Sequence, residues 1–360
     1  MKNTPKIAIV YDFLDFFGGG ERMLLGILEA FPQAVLFTSF YRKESMLKYF
    51  SKYNVVESKY ASMLKRFGKV RAVLLPMAFE SFNFDNFDVV ISLSASFAKC
   101  IVVPENILHI EYILTPPRFL YNMGSTTQYK MKKLKIPLLI VNNFLRLKDF
   151  EAAQRGDYML SISKEVQKRV LKFYKRESDV IYPFVDTSLF AIDKNEKEED
   201  YFILVSRLEH YKNIDLVIRA CAKAQKKLKI IGDGSYRSEL QKIADTRYIE
   251  FLGRLDDKNM IKYIRKSKAL IFPTNEDFGL TPIEAQACGK SVIALCVGGV
   301  LETVKNKKTG LFFNNEEELI NILASFDSLN FDSTICRENA LQFSKDKFLK
   351  NFREYILERV

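Results

Sequence analysis

Short apolar runs of strand length recur along the chain, and most are followed by a turn and a stretch of helical period. In the first half the runs fall at residues 7–11, 88–93, 109–114, 157–163 and 179–182. A glycine turn, Gly18-Gly19-Gly20, and an amphipathic helix from about Glu21 follow the first of them, and residues 164–174 form another helical stretch. The second half alternates with more regularity. Its runs lie at 202–206, 228–231, 249–252 and 269–273, with helical stretches starting at Asn213, ending at Ala244 and covering 258–265. Such alternation predicts an α/β fold with parallel, doubly wound sheets. Two halves of this kind predict two Rossmann-like domains facing across a cleft. Their expected bounds are 1–182 and 201–342, with the charge-rich stretch 183–200 as linker and 343–360 as a C-terminal helix returning to the first domain.

Composition narrows the class. At 360 residues the chain can build two cores. Its five cysteines are scattered, without C-x-x-C spacing, which argues against disulfides and zinc and for a reducing compartment. No apolar run reaches the roughly 18 residues of a membrane span, and the chain enters a strand without a signal-like start. The expected location is cytoplasmic.

Charge distribution adds a partner. Net charge is +11, and residues 1–182 hold 27 Lys+Arg against 17 Asp+Glu, so the first half carries nearly all of the excess. Residues 41–75 hold nine basic groups and two acids; residues 130–148 hold six basic groups and no acid, around an apolar run. Basic groups bordering apolar ones suit an anionic membrane surface, here the inner face of the cytoplasmic membrane. No nucleic-acid module is present, so nucleic acid is not an expected partner.

The candidate chemistry centres on residues 269–296, where a strand, a loop, a helix and a second strand follow one another. The loop holds Glu276 and Glu284, with Phe278, Gly279 and Leu280 between them. It lies at the carboxyl end of a strand and feeds a helix N-terminus, the place where parallel sheets bind ligands and anions. Thr281 is the expected N-cap, Pro282 the first helical residue and Gly289 the stop. Thr281-x-x-Glu284 also fits a capping box, so Glu284 has a structural role open to it, whereas the sequence offers none for Glu276. Arg207 follows a strand ending at Ser206, and Lys212 directly precedes the helix at Asn213. A guanidinium and an ammonium at one sheet edge make a diphosphate clamp. Gly232-Asp233-Gly234 sits at another strand end. The two glutamates suit hydroxyl-rich groups, and phosphates beside hydroxyls describe a nucleotide sugar.

At this point the residues resemble those of the retaining glycosyltransferases of family 4, which have the GT-B fold. GGGER at Gly18 is similar to that family's glycine loop, and YPFVDTSLF (182–190) to its interdomain segment. VSRLEHYKNID (205–215) is similar to its Arg/Lys phosphate motif, and EDFGLTPIE (276–284) to its E-x₇-E signature. The resemblance implies that Gly18, Gly19, Arg207 and Lys212 bind the donor diphosphate, with Ser206 and Gly232 in the same donor-binding set. It implies that Glu276 contacts the transferred hexose, that backbone N–H groups at Phe278, Gly279 and Leu280 touch sugar and phosphate, and that Glu284 holds the ribose. Arg207, Lys212 and Glu276 are the catalytic candidates. Thr115 and Arg118 are the acceptor or sugar-side candidates.

The resemblance also implies a metal-independent reaction with no cofactor, and the sequence has no D-x-D metal motif. It departs from the family in one place. A branch of bacterial polysaccharide and O-antigen enzymes, many of them mannosyltransferases, has a histidine where this chain has Leu114. His109 lies five residues back on the same strand, on the opposite face. The expected activity is transfer of a hexose, mannose first, from a nucleotide sugar to a lipid-linked saccharide in surface-polysaccharide assembly (lipopolysaccharide O-antigen or capsule). A UDP-hexose donor is the alternative within that chemistry. An NAD-dependent dehydrogenase is the alternative outside it, and the missing G-x-G-x-x-G argues against it.

Overall fold

The computed structural model describes residues 5–66, 72–121, 123 and 135–360, the side chains of 135–139 excepted. Among the described residues the first sheet contains β1 (Ile7–Tyr11), β2 (Val35–Thr38), β3 (Val55–Glu57), β4 (Val89–Ser94), β5 (Leu108–Ile113), β6 (Tyr158–Ser161) and β7 (Asp179–Val180). Their order is β3-β2-β1-β4-β5-β6-β7, all parallel. The second contains β8 (Phe202–Val205), β9 (Leu228–Ile231), β10 (Ile249–Gly253), β11 (Ala269–Phe272), β12 (Ser291–Leu295) and β13 (Gly310–Phe313). Its order is β10-β9-β8-β11-β12-β13, again parallel. Both sheets have the parallel, doubly wound order of Rossmann-like units expected from the alternation.

Strand order reverses beside the first strand of each unit, between β1 and β4 and between β8 and β11. Connections leave such a pair of strands in opposite directions, which opens a crevice at their carboxyl ends. The central strands β1, β4 and β11 are buried along their whole length. Helices cover both faces of a parallel sheet, so these strands show as continuous apolar runs without alternation. The sequence does not announce β2, β3 or β13. β3 is three half-buried residues at a sheet edge, too short for any period to show.

The first unit comprises Met1–Pro183 with Phe348–Val360, and the second Phe184–Lys347. The helix Lys345–Leu357 therefore begins in the second unit and ends in the first. There Phe352 stacks on Tyr112 of β5, and Arg353 donates to the carbonyls of Glu29 and Ala30, which close the helix Gly19–Ala30. From Phe184 onward the expected linker is part of the second unit: Phe190 is buried, and the guanidinium of Arg337 binds the carbonyls of Thr187 and Phe190.

Candidate active site

In the second unit, Arg207 and Lys212 are carried by the loop after β8, at the switch point. Two glycines of the loop after β9 hold that segment. A Cβ on Gly232 would lie 1.8 Å from the carbonyl oxygen of Ser206, and one on Gly234 2.3 Å from that of Leu208. Gly232 also has φ +136, a conformation that other residues rarely adopt. Hydrogen bonds from Ser206 N–H to Ile231, from Leu208 N–H to Asp233 and from Tyr236 N–H to Leu208 lock the two loops together. Ser206 and Gly232 thus shape the backbone that presents Arg207. Tyr211 touches both cations: its hydroxyl accepts from Arg207 at 3.3 Å, and its ring centroid lies 5.2 Å from Lys212 Nζ.

The loop after β11 closes the other side of the switch point. Asn213, with φ +53, ends the Lys212 segment and donates its side-chain amide to Pro273 O at 3.1 Å; Thr274 Oγ1 donates to Lys212 O at 3.3 Å. These two bonds fix Lys212 against the glutamate loop. Lys212 Nζ is ion-paired and hydrogen-bonded to Glu276 Oε1. The ammonium end is nearly buried, with 7% of its side chain exposed, against 31% for Glu276. Glu276 therefore has a structural partner that the sequence does not reveal, because the two residues lie 64 positions apart.

A pair of glycines beyond β12, Gly298 and Gly299, completes this loop; the sequence shows them as a turn before a short helix and assigns them no part in the site. Gly299 N–H donates to Glu276 O at 2.9 Å, and a Cβ on Gly299 would lie 2.4 Å from Asp277 O. The signal in the sequence is two adjacent glycines separated by two residues from a strand end.

The helix at the motif is Leu280–Ala287, and its N-cap is Gly279 with φ +88. This corrects the expected cap at Thr281 and first position at Pro282. Glycine reaches the left-handed region at no steric cost, so the helix begins two residues earlier. Pro282 then falls in the first turn, where its missing N–H leaves no bond unmade. Glu284 becomes the fifth helical residue, two positions too deep for a capping box, and is buried. Gly289, with φ +80, lies just past the helix end, as expected. Phe278 is buried, its ring edge-on to Phe343 at 5.6 Å. Gln286 and Asn339 share buried hydrogen bonds with each other and with Thr303 O, pinning the helix Ser333–Leu341 to this one.

In the first unit the glycine turn opens the helix Gly19–Ala30, with Gly18 at its N-cap. Glu21, nearly buried, accepts from Tyr11 Oη at 2.7 Å and from the backbone of Gly18, while burial pushes its carboxyl upward. A Cβ on Gly20 would lie 2.6 Å from Tyr11 Oη, so Gly20 is required by packing. Asp12, beyond β1, accepts the N–H groups of Ala95, Phe97 and Ala98 across the switch point at 2.6 to 2.8 Å. Leu114 packs beside Gly20, its Cδ1 3.6 Å from where a Cβ would stand. The apolar side chain therefore sits against the glycine turn. His109 is buried, bonded to Ser92 at 3.0 Å, and held down to about 3 by burial and by Arg176 and Arg155. It takes no part in this face. Thr115 is buried and donates to Pro116 O, and Arg118, three residues after Thr115, is half-buried.

Comparison with known proteins gives the fold and the class of the chain. Residues 186–342 match the family described as "Glycosyl transferases group 1". The chain is similar to an uncharacterized glycosyltransferase, MJ1178, of Methanocaldococcus jannaschii, with 28% identity over 68% of this chain and 74% of that one. It is similar to the yeast (Saccharomyces cerevisiae) alpha-1,3/1,6-mannosyltransferase ALG2, with 26% identity over 50% of this chain and 45% of that one. Among solved structures, Anabaena Alr3699/HepE in complex with UDP superposes with a TM-score of 0.74 at 16% identity, covering 98% of this chain and 100% of that one. The chain is a glycosyltransferase with the GT-B fold. Its second unit carries the family match, in the region that holds Arg207, Lys212, Glu276 and Glu284.

Proposed function

We propose that the protein is a retaining enzyme that moves a hexose from a nucleotide sugar to a lipid-linked saccharide in cell-surface polysaccharide assembly. The observation that carries this reading is the Lys212–Glu276 ion pair at the switch point of the second sheet. Lys212 and Arg207 bind the donor diphosphate and stabilise the negative charge that grows as it leaves. The sequence has no D-x-D motif, and these cations do the work a magnesium ion does elsewhere. With its charge matched by Lys212, Glu276 accepts hydrogen bonds from hexose hydroxyls. Glu284 does the same for the ribose, and backbone N–H groups at Phe278 to Leu280 meet the phosphate. In the first unit Gly18 and Gly19 are the proposed donor-side groups, and Thr115 and Arg118 the acceptor-side ones.

In the reaction the bond from the anomeric carbon to the phosphate oxygen breaks. The bond to the acceptor oxygen forms on the same face, and the acceptor proton passes to the departing phosphate. GDP-mannose is the first donor, supported by the mannosyltransferase name of the yeast relative. A UDP-hexose is second, supported by the UDP of the Anabaena structure. The proposed site of action is the cytoplasmic side of an anionic membrane, a reading that the basic first half supports. Incubating the purified chain with a panel of nucleotide sugars and measuring nucleotide release tests the reading. Release from a GDP- or UDP-hexose is expected. No release from any member, together with stabilisation by NAD, would replace it with a dehydrogenase.

A further inference from the structure

One of the chain's two histidines, His210, lies between Arg207 and Lys212, and neither the fold nor the proposed chemistry has used it. The loop that carries the two cations is bonded at both ends: Leu208 to the loop after β9, and Lys212 to the glutamate loop through Thr274. Between these ends lies the single turn His210–Lys212, which Lys212 N–H closes on Glu209 O at 3.0 Å. Tyr211 in that turn faces Arg207 and Lys212, whereas His210 faces the helix Arg237–Ile243. There its imidazole lies against the ring of Tyr236, with centroids 3.7 Å apart and planes at 34°. Its Nε2 stands 3.7 Å from Glu239 Oε1, and beside it Ser235 Oγ donates to Glu209 Oε2 at 2.8 Å. His210 thus braces the turn that bears the cations against the helix that follows β9.

We propose that His210 is a positioning residue for the diphosphate clamp, holding the turn through Tyr236 and Glu239 so that Tyr211 keeps Arg207 and Lys212 in place before the donor arrives. Arg207 is exposed, and a long free side chain loses rotamer entropy when it grips a phosphate. Its bond to the Tyr211 hydroxyl removes part of that loss in advance, provided that the turn bearing Tyr211 is itself held. The brace has a steady part and a charge-dependent part. The stack on Tyr236 is present in either state of the imidazole. Nε2 and Glu239 Oε1 are beyond hydrogen-bond length, so the carboxylate draws the ring strongly only when the ring is protonated. With 36% and 61% of the two side chains exposed, that ion pair is the weaker part. The other charges around the ring have partners of their own. Arg237 lies 3.5 Å from Asp233 on the same helix and its loop, and Asp215 and Arg219 of the helix Ile214–Lys223, which act on Tyr236, pair at 2.7 Å. Arg207 and Lys212 on the turn itself oppose a proton on His210. The inference rests on the donor role proposed for those two cations and adds the residue that sets them.

Calorimetric titration of the purified chain with GDP, UDP and the two monophosphates tests this. His210→Ala is expected to weaken diphosphate binding about three- to ten-fold, the worth of one aromatic stack. The monophosphate, which offers the clamp one phosphate group, is expected to lose less, so the ratio of the two affinities falls; a merely less stable fold would weaken both alike. His210→Phe, which keeps a ring against Tyr236, is expected to recover most of the loss. Between about pH 8 and about pH 6, where histidine changes charge, wild type is expected to gain about two-fold in diphosphate affinity over His210→Phe. Protonation of the ligand is common to both proteins and cancels in that comparison. Glu239→Gln, at an exposed carboxylate, is expected to abolish this gain, and it carries the test if His210→Ala does not fold. An unchanged affinity ratio in folded His210→Ala overturns the proposal. So does tighter diphosphate binding by Glu239→Gln than by wild type, which would make the imidazolium itself a phosphate ligand. Wild type that binds neither GDP nor UDP fells the donor reading and this inference with it, whereas wild-type binding with an unchanged ratio fells this inference alone.

Discussion

Lys212 and Glu276 face each other across the switch point of the second sheet as an ion pair, with the ammonium nearly out of solvent. A charge so placed needs its partner, because losing one member leaves the other poorly solvated. Glu276→Ala is expected to cost about 1–3 kcal/mol of stability, the penalty of an unsatisfied, largely buried polar group. Lys212→Ala/Glu276→Ala is expected to cost less than the two single changes summed. Thermal melts of the three variants check this, and strict additivity would show that the two groups do not interact.

Turnover separates the two residues differently. Lys212→Ala is expected to lower nucleotide release by roughly 10²- to 10³-fold, the usual effect of removing one preorganised charge-stabilising donor. Lys212→Arg, which keeps the charge but changes its reach, is expected to recover part of the loss. Equal release by wild type and Lys212→Ala on an accepted donor would remove the phosphate role.

Gly232→Ala and Gly253→Ala test whether the Ser206 loop is held by close backbone approach. Both glycines have positive φ, +136 and +70. Only Gly232 faces a carbonyl, at 1.8 Å from a Cβ, while Gly253 faces guanidinium nitrogens of Arg237 at 3.8 and 3.9 Å. Gly253→Ala is expected to cost about 1–2 kcal/mol of backbone strain. Gly232→Ala is expected to exceed the roughly 4 kcal/mol that marks exceptional point mutants. Denaturant titration ranks them, and equal costs would mean the clash is relieved by loop movement.

Two buried groups in the first unit give stability opposite pH slopes. Burial pushes Glu111 up to about 8, so the folded chain holds a proton there that the unfolded chain has released above about 4.3. Folded protein binds more protons across that window, and stability from this source falls as pH rises towards 8. Glu111→Gln keeps an oxygen for the Gly156 N–H, 3.1 Å away, and is expected to flatten the decline in melting temperature from pH 5 to 8. An unchanged slope would show that Glu111 does not titrate there.

His109 works the other way. Held down to about 3, it stays neutral in the folded chain while the unfolded histidine charges below about 6.5. The unfolded state binds more protons in this window, so stability is lost as pH falls from 6.5 towards 3. His109→Gln is expected to flatten this acid limb and to leave turnover at neutral pH near wild type. A loss of turnover in a folded His109→Gln protein would make the residue a substitute for the histidine absent at Leu114.

Where contacts are local, the sequence shows them. Central strands appear as apolar runs because both their faces are covered, and the motifs at Arg207, Lys212 and Glu276 appear because each occupies a strand end. The three-residue edge strand β3 carries no periodicity to detect. The cap at Gly279 was missed because Thr281 and Pro282 offer a familiar helix start, and only backbone φ distinguishes the two registers. The ion pair between Lys212 and Glu276, and the support of Glu276 O by Gly299, join residues that only the strand order brings together. Glu276 looked unemployed in the sequence for that reason.

The most direct test of the enzymatic account is the turnover of Glu276→Ala on the nucleotide sugar that the wild type accepts. A fall of roughly 10²-fold or more in nucleotide release, by a variant whose melt shows it folded at the assay temperature, is the predicted result. Release equal to that of wild type would contradict the account, because the ion pair would then be scaffold and the donor sugar would be held elsewhere.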